Sequence, residues 1–170
     1  MKAPGTRPLI LVTLAGGGYG RECSIVIRAL SGGADFIYTR PRSGVTEQPG
    51  DNGIPDGPQL ELPDLQTVNS GSKLTSLASG VVIFFRTLRF LLRHRPDCVA
   101  GITARESVFV LAAARVLGIQ TLFLESVTRV SVPSLTLRLI ARLRLSRNIW
   151  VQWPDLVGSV PNAQFRGRVL

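Results

Sequence analysis

Gly16-Gly17-Gly18-Tyr19-Gly20, with Glu22 just beyond it, is the first set of residues along the chain whose types and spacing can do chemistry. It lies between a short apolar run, Leu9 to Leu14, and a helix-like stretch. Glycines let a backbone approach a ligand closely, and the free N–H groups and positive dipole of a helix start favour phosphate or another anion. The same glycines suit a plain tight turn, and the spacing leaves both readings open. It is not the dinucleotide fingerprint, because no G-x-G-x-x-G occurs and no acidic residue ends the second predicted strand. Glu22 also has two readings. It can offset the dipole of the helix whose first turn it occupies, or it can take the proton of an attacking sugar hydroxyl.

Two basic amphipathic stretches form the second candidate chemistry. In the first, Leu77, Val81, Phe84, Phe85, Leu88, Leu91 and Leu92 recur at helical spacing, and Arg86, Arg89, Arg93, His94 and Arg95 gather toward its end. The stripe reads as a core face with its arginines in water, or as an interfacial face with Phe84 and Phe85 dipping into lipid. In the second, Arg138, Arg142, Arg144 and Arg147 accompany Leu135, Leu137, Leu139, Ile140 and Leu143. Guanidinium matches phosphate bidentately, so Arg138 and Arg142 suit anionic headgroups or a lipid-linked pyrophosphate as well as an ordinary solvated face.

Composition narrows the partners. The chain has 170 residues, 45% of them apolar, and a net charge of +9 carried almost wholly by arginine, since Lys2 and Lys73 are its only lysines. With a mean hydropathy of +0.23 it is not a disordered chain. The charge points to a polyanion: nucleic acid, anionic lipid or a phosphorylated substrate. Nucleic acid is disfavoured, because no DNA or RNA motif appears and aromatics are not interleaved with the arginines. Cys23 and Cys98 lack metal spacing and read as reduced thiols, and a lone His94 argues against a histidine-rich metal site. No metal or cofactor is expected. The apolar run after Pro8 reads as a strand rather than a signal peptide, and no run reaches the 18 or so apolar residues of a membrane span. Any attachment should be peripheral, at the cytoplasmic face of a membrane.

These residues must be positioned by a sheet. Short apolar runs alternate with helix-like stretches, the pattern of a doubly wound, mainly parallel α/β domain. Strands are predicted at Leu9–Leu14, Ala34–Thr39, Cys98–Ile102, Ile119–Leu124, Asn148–Gln152 and Ala163–Phe165. Helices are predicted at about Tyr19–Leu30, Ser72–Arg95, Ala104–Leu117 and Leu135–Leu145, with Ser72 and Ser134 as caps. Arg40 to Pro63, dense in Gly, Pro, Asp and Asn, reads as a long loop within a single domain spanning 1–170. A ligand cleft should lie at the carboxyl ends of the strands.

The strand ending in Leu124-Glu125-Ser126-Val127-Thr128-Arg129-Val130, the later Ser134-Leu135-Thr136, and Val151-Gln152-Trp153-Pro154-Asp155-Leu156 form an ordered set. The set resembles the acceptor-binding, membrane-recruiting subunit of the two-component UDP-N-acetylglucosamine transferase of N-glycan assembly, and its bacterial exopolysaccharide counterparts of PssD type. Those subunits carry a strand ending in Glu-Ser-x-x-Arg-Val, a Ser-Leu-Thr helix start and Val-Gln-Trp before a leucine. The resemblance runs from about Leu9 to Gly167. Tyr19 stands where the family usually has histidine.

The resemblance implies the N-terminal, Rossmann-like half of a GT-B glycosyltransferase, with a separate chain supplying the nucleotide-sugar-binding C-terminal half. The implied reaction is inverting transfer from a UDP-sugar, held by that partner, to a polyprenyl-diphosphate-linked glycan, without a metal. It implies that Gly16, Gly17, Gly18 and Tyr19 face the acceptor diphosphate, that Glu22 serves as the acid–base residue, and that Glu125, Ser126 and Arg129 line the cleft. Glu125 either contacts substrate or pairs with Arg129. Trp153 sits at a helix–strand junction or the partner interface, and Trp150 is expected in the core. The rival expectations are a non-catalytic membrane recruiter of the donor-binding chain and a basic nucleic-acid-binding domain.

Overall fold

In the first strand, β1 (Leu9–Thr13), successive side chains point to opposite faces of a sheet. Leu11 joins one buried cluster and Val12 the other. The same alternation runs through β4 (Cys98–Ile102), β5 (Gln120–Leu124) and β6 (Asn148–Val151). Val99, Phe123, Ile149 and Val151 enter the first cluster, whereas Ala100, Ile102 and Leu124 enter the second. A sheet buried on both faces needs helices on both, which is the condition for parallel pairing.

The computed structural model describes residues 6–15, 19–42, 49–50, 53–65 and 73–169. Among these residues, seven parallel strands stand in the order β3-β2-β1-β4-β5-β6-β7. The remaining strands are β2 (Asp35–Pro41), β3 (Gln59–Leu62) and β7 (Ala163–Phe165). The helices are α1 (Gly20–Leu30), α2 (Lys73–His94), α3 (Ser107–Val116) and α4 (Leu135–Arg142). The doubly wound, Rossmann-like α/β class expected from the sequence is the one found.

α2 packs on α3 and α3 on α4, forming one layer over the first cluster. α1, through Cys23 and Ile27, covers part of the second cluster. Beyond α1 that sheet face stays partly open, leaving a cavity of about 550 Å³ bordered by Ile10, Ala100, Leu122, Trp150 and Val169.

Three sequence expectations change. β3 lies inside the segment read as one long loop. It is an edge strand of four residues that pairs with β2 through backbone bonds, so it needs no hydrophobic pattern of its own. Trp150 is not a core residue. The alternation of β6 sends Ile149 and Val151 under the helix layer and Trp150 to the open face, where it keeps 36% exposure.

The apolar stripe of α2 also divides. Ile83 and Leu91 are buried with Phe84 and Leu88 packed beside them, while Leu77, Val81, Phe85 and Leu92 stand exposed. Close packing selects the core side: a Cβ on Gly80 would lie 2.2 Å from the Phe109 ring of α3. The α2–α3 approach therefore rotates Leu77, Val81 and Phe85 outward.

Candidate functional site at the carboxyl edge of the sheet

The strand order reverses between β1 and β4, and a ligand crevice is expected at the carboxyl ends beside such a point. Thr13, the last residue of β1, ties the two strands together there. Its Oγ1 lies 3.0 Å from Ser107 Oγ at the start of α3 and accepts the Ile102 N–H at 3.0 Å. Gly101 makes this junction possible, because a Cβ there would meet Ser107 Cβ at 2.9 Å.

Glu22, in the first turn of α1, is only 6% exposed. Its Oε1 accepts the Ser126 hydroxyl at 2.8 Å, and its Oε2 accepts the Val127 N–H at 3.2 Å and the Gln152 Nε2–H at 3.0 Å. Thus one carboxylate joins α1 to the loop after β5 and to the residue following β6.

Glu125, at the end of β5, is buried as well. Its Oε1 accepts the Ser126 N–H at 3.0 Å, and its Oε2 accepts both the N–H and the hydroxyl of Ser134, at 3.0 and 2.6 Å. Ser134 Oγ in turn accepts the Leu137 N–H at 3.0 Å, making it the N-cap of α4, as its sequence position predicts. Buried carboxylates cost much solvation unless donors replace the lost water. Here six neutral donors do so, three for each residue. Among the described residues no arginine or lysine pairs with either carboxylate.

Gln152 completes the network. It is fully buried, and its amide nitrogen also donates to the Glu125 carbonyl at 3.0 Å. Its Oε1 accepts the Val169 N–H at 2.7 Å. Trp153 follows, donating its indole N–H to the Val127 carbonyl at 2.6 Å, with the Arg168 guanidinium 3.7 Å above its ring. The loop 125–129 is therefore fastened from α1, α4 and the chain's last described residues.

The structure brings Glu22, Glu125, Ser126 and Trp153 into this one assembly. Arg129 lies on the same loop, exposed, and its guanidinium has no hydrogen bond or ion pair among the described residues. The Glu125–Arg129 pair weighed from the sequence is not formed, because Ser126 and Ser134 already occupy Glu125. Tyr19, immediately before α1, is exposed. Gly16, Gly17 and Gly18 lie outside the described residues. Phe84 is half-buried, while Phe85, Arg86, Arg89, Arg138 and Arg142 are exposed on the α2–α4 layer.

Gln152 and Ser134 were not assigned to the site from sequence, although both fall within motifs quoted there. A buried glutamine bridging the Glu22 carboxylate of α1 and the Glu125 carbonyl after β5 needs the fold to be seen. Among the described residues no three metal-capable side chains come together.

Residues 60–169 match the family model described as "Oligosaccharide biosynthesis protein Alg14 like". This chain belongs to the Alg14-like family. The match includes Glu125, Ser126, Arg129, Gln152 and Trp153 but begins after Glu22. No curated protein sequence matches the chain.

Among solved structures, this Alg14-like chain resembles MurG of Acinetobacter baumannii with a TM-score of 0.68 and 20% identity, over 88% of this chain and 42% of that one. It resembles the UDP-GlcNAc 2-epimerase of Neisseria meningitidis, solved with UDP-GlcNAc, with a TM-score of 0.64 and 14% identity, over 95% and 47%. It also resembles Arabidopsis thaliana UGT89C1, solved with UDP-L-rhamnose, with a TM-score of 0.62 and 13% identity, over 97% and 53%. At these identities the likeness shows the fold alone. The chain spans about half of each of these proteins or less. The family is one of oligosaccharide biosynthesis proteins, and the architecture shared with these structures is a Rossmann-like α/β fold. No helix among the described residues is long and apolar enough to cross a membrane.

Proposed function

We propose that this Alg14-like chain is the acceptor-side subunit of a split inverting glycosyltransferase in polysaccharide biosynthesis. It holds a polyprenyl-diphosphate-linked glycan against a UDP-sugar bound by a separate donor-binding chain, and is inactive alone. The observation that carries the reading is the buried Glu22–Ser126 contact at the carboxyl edge of the strands. A carboxylate at the strand ends lies where an open α/β sheet is expected to bind its ligand.

In this reading the acceptor oxygen attacks the anomeric carbon, the bond from that carbon to the nucleotide diphosphate breaks, and Glu22 receives the acceptor's proton. Gly16, Gly17, Gly18 and Tyr19 lie against the acceptor diphosphate. Arg129 supplies an unpaired guanidinium for its oxygens. Glu125 and Ser126 hold the cleft wall in place. Trp153 stands where the partner chain closes the cleft. Phe85, Arg86, Arg89, Arg138 and Arg142 rest peripherally on the anionic cytoplasmic face of the membrane, while Phe84, expected there from the sequence, packs toward the core instead.

The test is transfer from UDP-N-acetylglucosamine and other UDP-sugars to membrane-borne lipid-linked acceptors, by the chain with and without its donor-binding partner. Transfer by the pair alone is expected. Robust transfer by the isolated chain would sink the split architecture.

A second reading has its own support. Both Glu22 oxygens already accept internal donors, as in a purely structural carboxylate. The chain would then be a non-catalytic membrane recruiter of the donor-binding subunit. Glu22→Gln and Glu125→Gln in the reconstituted pair separate the two. Unchanged turnover in both favours the recruiter.

A further inference from the structure

Glu22 is nearly closed off, yet a base must exchange a proton with a substrate hydroxyl. The hydroxyls around it bridge that gap. Ser126 Oγ donates its only proton to Glu22 Oε1 at 2.8 Å. It accepts the Thr128 N–H at 3.2 Å and stands 3.0 Å from Thr128 Oγ1.

A serine hydroxyl has one proton and two lone pairs. With that proton committed to Glu22, the contact between the two hydroxyls has one consistent direction: Thr128 donates to Ser126. Both O–H bonds then point inward toward Glu22. The lone pairs of Thr128 Oγ1 remain to accept from outside, and Thr128 is exposed where Ser126 and Glu22 are buried.

The geometry points to Thr128 and Ser126 as a polarised proton relay from the acceptor hydroxyl to the buried carboxylate of Glu22. This rests on the transferase reading above and names two further residues of that site. As the acceptor oxygen bonds to the anomeric carbon and the carbon–oxygen bond to the UDP leaving group breaks, the acceptor's proton moves to Thr128 Oγ1. The Thr128 proton moves to Ser126 Oγ, and the Ser126 proton to Glu22 Oε1. Both hydroxyls end neutral and turned over, and Glu22 ends protonated. The departing UDP carries away the bonding pair of its broken bond, so charge and atoms balance without another reactant. Thr128 is the catalytic residue in contact with substrate, and burial of Glu22 becomes compatible with its role.

Glu125 is held differently: its oxygens face the Ser126 N–H and Ser134, whose hydroxyl is also engaged as the cap of α4.

The experiment uses the full chain co-purified with its donor-binding partner, a panel of UDP-sugars including UDP-N-acetylglucosamine, and membranes bearing lipid-linked acceptor. Thr128→Val keeps shape and removes the hydroxyl. It should lower kcat about a hundredfold, within the range of one proton-transfer element, with acceptor KM little changed and the same melting temperature. Thr128→Ser should restore kcat. The wild-type pair should show a solvent isotope effect on kcat with a bowed proton inventory, as several protons move together, and the valine variant should lose the bow. Wild-type kcat in Thr128→Val, or a loss confined to KM, overturns the relay while leaving the transferase reading intact. No turnover by the wild-type pair with any donor overturns that reading and the relay with it.

Discussion

Ser134 Oγ donates to Oε2 of Glu125 at 2.6 Å and itself accepts the Leu137 N–H that starts α4. One side chain thus caps a helix and satisfies a buried carboxylate nine residues earlier. Ser134→Ala removes both functions. Losing the cap costs about 1 kcal/mol, and taking one hydrogen bond from a buried charged group costs about 1.5–3 kcal/mol. A fall in unfolding free energy of about 2–4 kcal/mol is expected in urea titration. Ser134→Thr, which keeps the oxygen, should recover most of it. A loss below about 0.5 kcal/mol would mean that water replaces the hydroxyl at no cost.

Much of this arrangement is legible in the sequence, and the limits have physical causes. Residues 98–102 and 163–165 read as strands because apolar or β-prone runs are bounded by turn residues, and they are β4 and β7 without adjustment. Ser134 reads as a cap because capping depends on local sequence. β3 is hidden, since a short edge strand is set by backbone pairing and by Gly57. A Cβ on Gly57 would lie 2.3 Å from the Phe36 carbonyl oxygen. The site is half legible. Glu22, Glu125 and Ser126 stand out by type and motif, but the contact that joins Glu22 to Ser126 spans 104 positions. Nothing in local spacing links Gln152 to Glu22. Thr128 is hidden for the opposite reason, since an exposed threonine carries no signal until the orientation of its neighbour's proton is known.

The approach of α2 to α3 rests on Gly80, which leaves room for the Phe109 ring. Gly80→Ala would gain about 1 kcal/mol of helix propensity if the space were open. The added carbon meets aromatic atoms at 2.2 and 2.4 Å, so the ring or the helix must shift. Overpacking of this kind costs about 1–3 kcal/mol, which outweighs the propensity gain. The variant should melt at a lower temperature, and adding Phe109→Leu should restore part of the loss. A variant that melts higher than wild type would show that the two helices are not in contact at this point.

Stability should fall in alkali for two identifiable reasons. Burial, reinforced by the Asp56 charge, pushes the Tyr38 phenol far above its ordinary range, and its hydroxyl donates to the Pro55 carbonyl at 2.8 Å. Burial also raises the Cys98 thiol, a shift opposed by the Val99 backbone N–H and aided by the Asp97 charge. In the unfolded chain these groups lose their protons near about 8.5 for the thiol and about 10 for the phenol. The folded chain keeps both protons to higher pH. It therefore binds more protons than the unfolded chain, and stability declines with rising pH. Their contributions are complete at neutral pH and are lost from about pH 8.5 upward. Urea midpoints measured from pH 7 to pH 11 should drop in that interval, with a shallower drop in Cys98→Ser. A flat or rising profile would contradict the assignment.

The outward face of α2 sets the last expectation. Leu77 is 62% and Phe85 61% exposed, with Val81 and Val82 between them, and Arg86, Arg89 and Arg93 continue the exposed face. Fully burying a side chain of this size is worth about 1.5–3 kcal/mol, so partial insertion of two of them gives a few kcal/mol. An arginine near an anionic surface adds about 1 kcal/mol and is screened by salt. The two contributions respond differently to the conditions. Binding to phosphatidylglycerol vesicles in sedimentation assays should therefore weaken with salt but not vanish. Phe85→Asp should abolish the salt-resistant part, because it removes apolar area and adds a charge repelled by the lipid. Replacing Arg86 and Arg89 together by glutamine should abolish most of the salt-sensitive part and leave the apolar part. If Phe85→Asp binds as wild type does, this helix face does not meet lipid, and its exposed side chains belong to a protein interface instead.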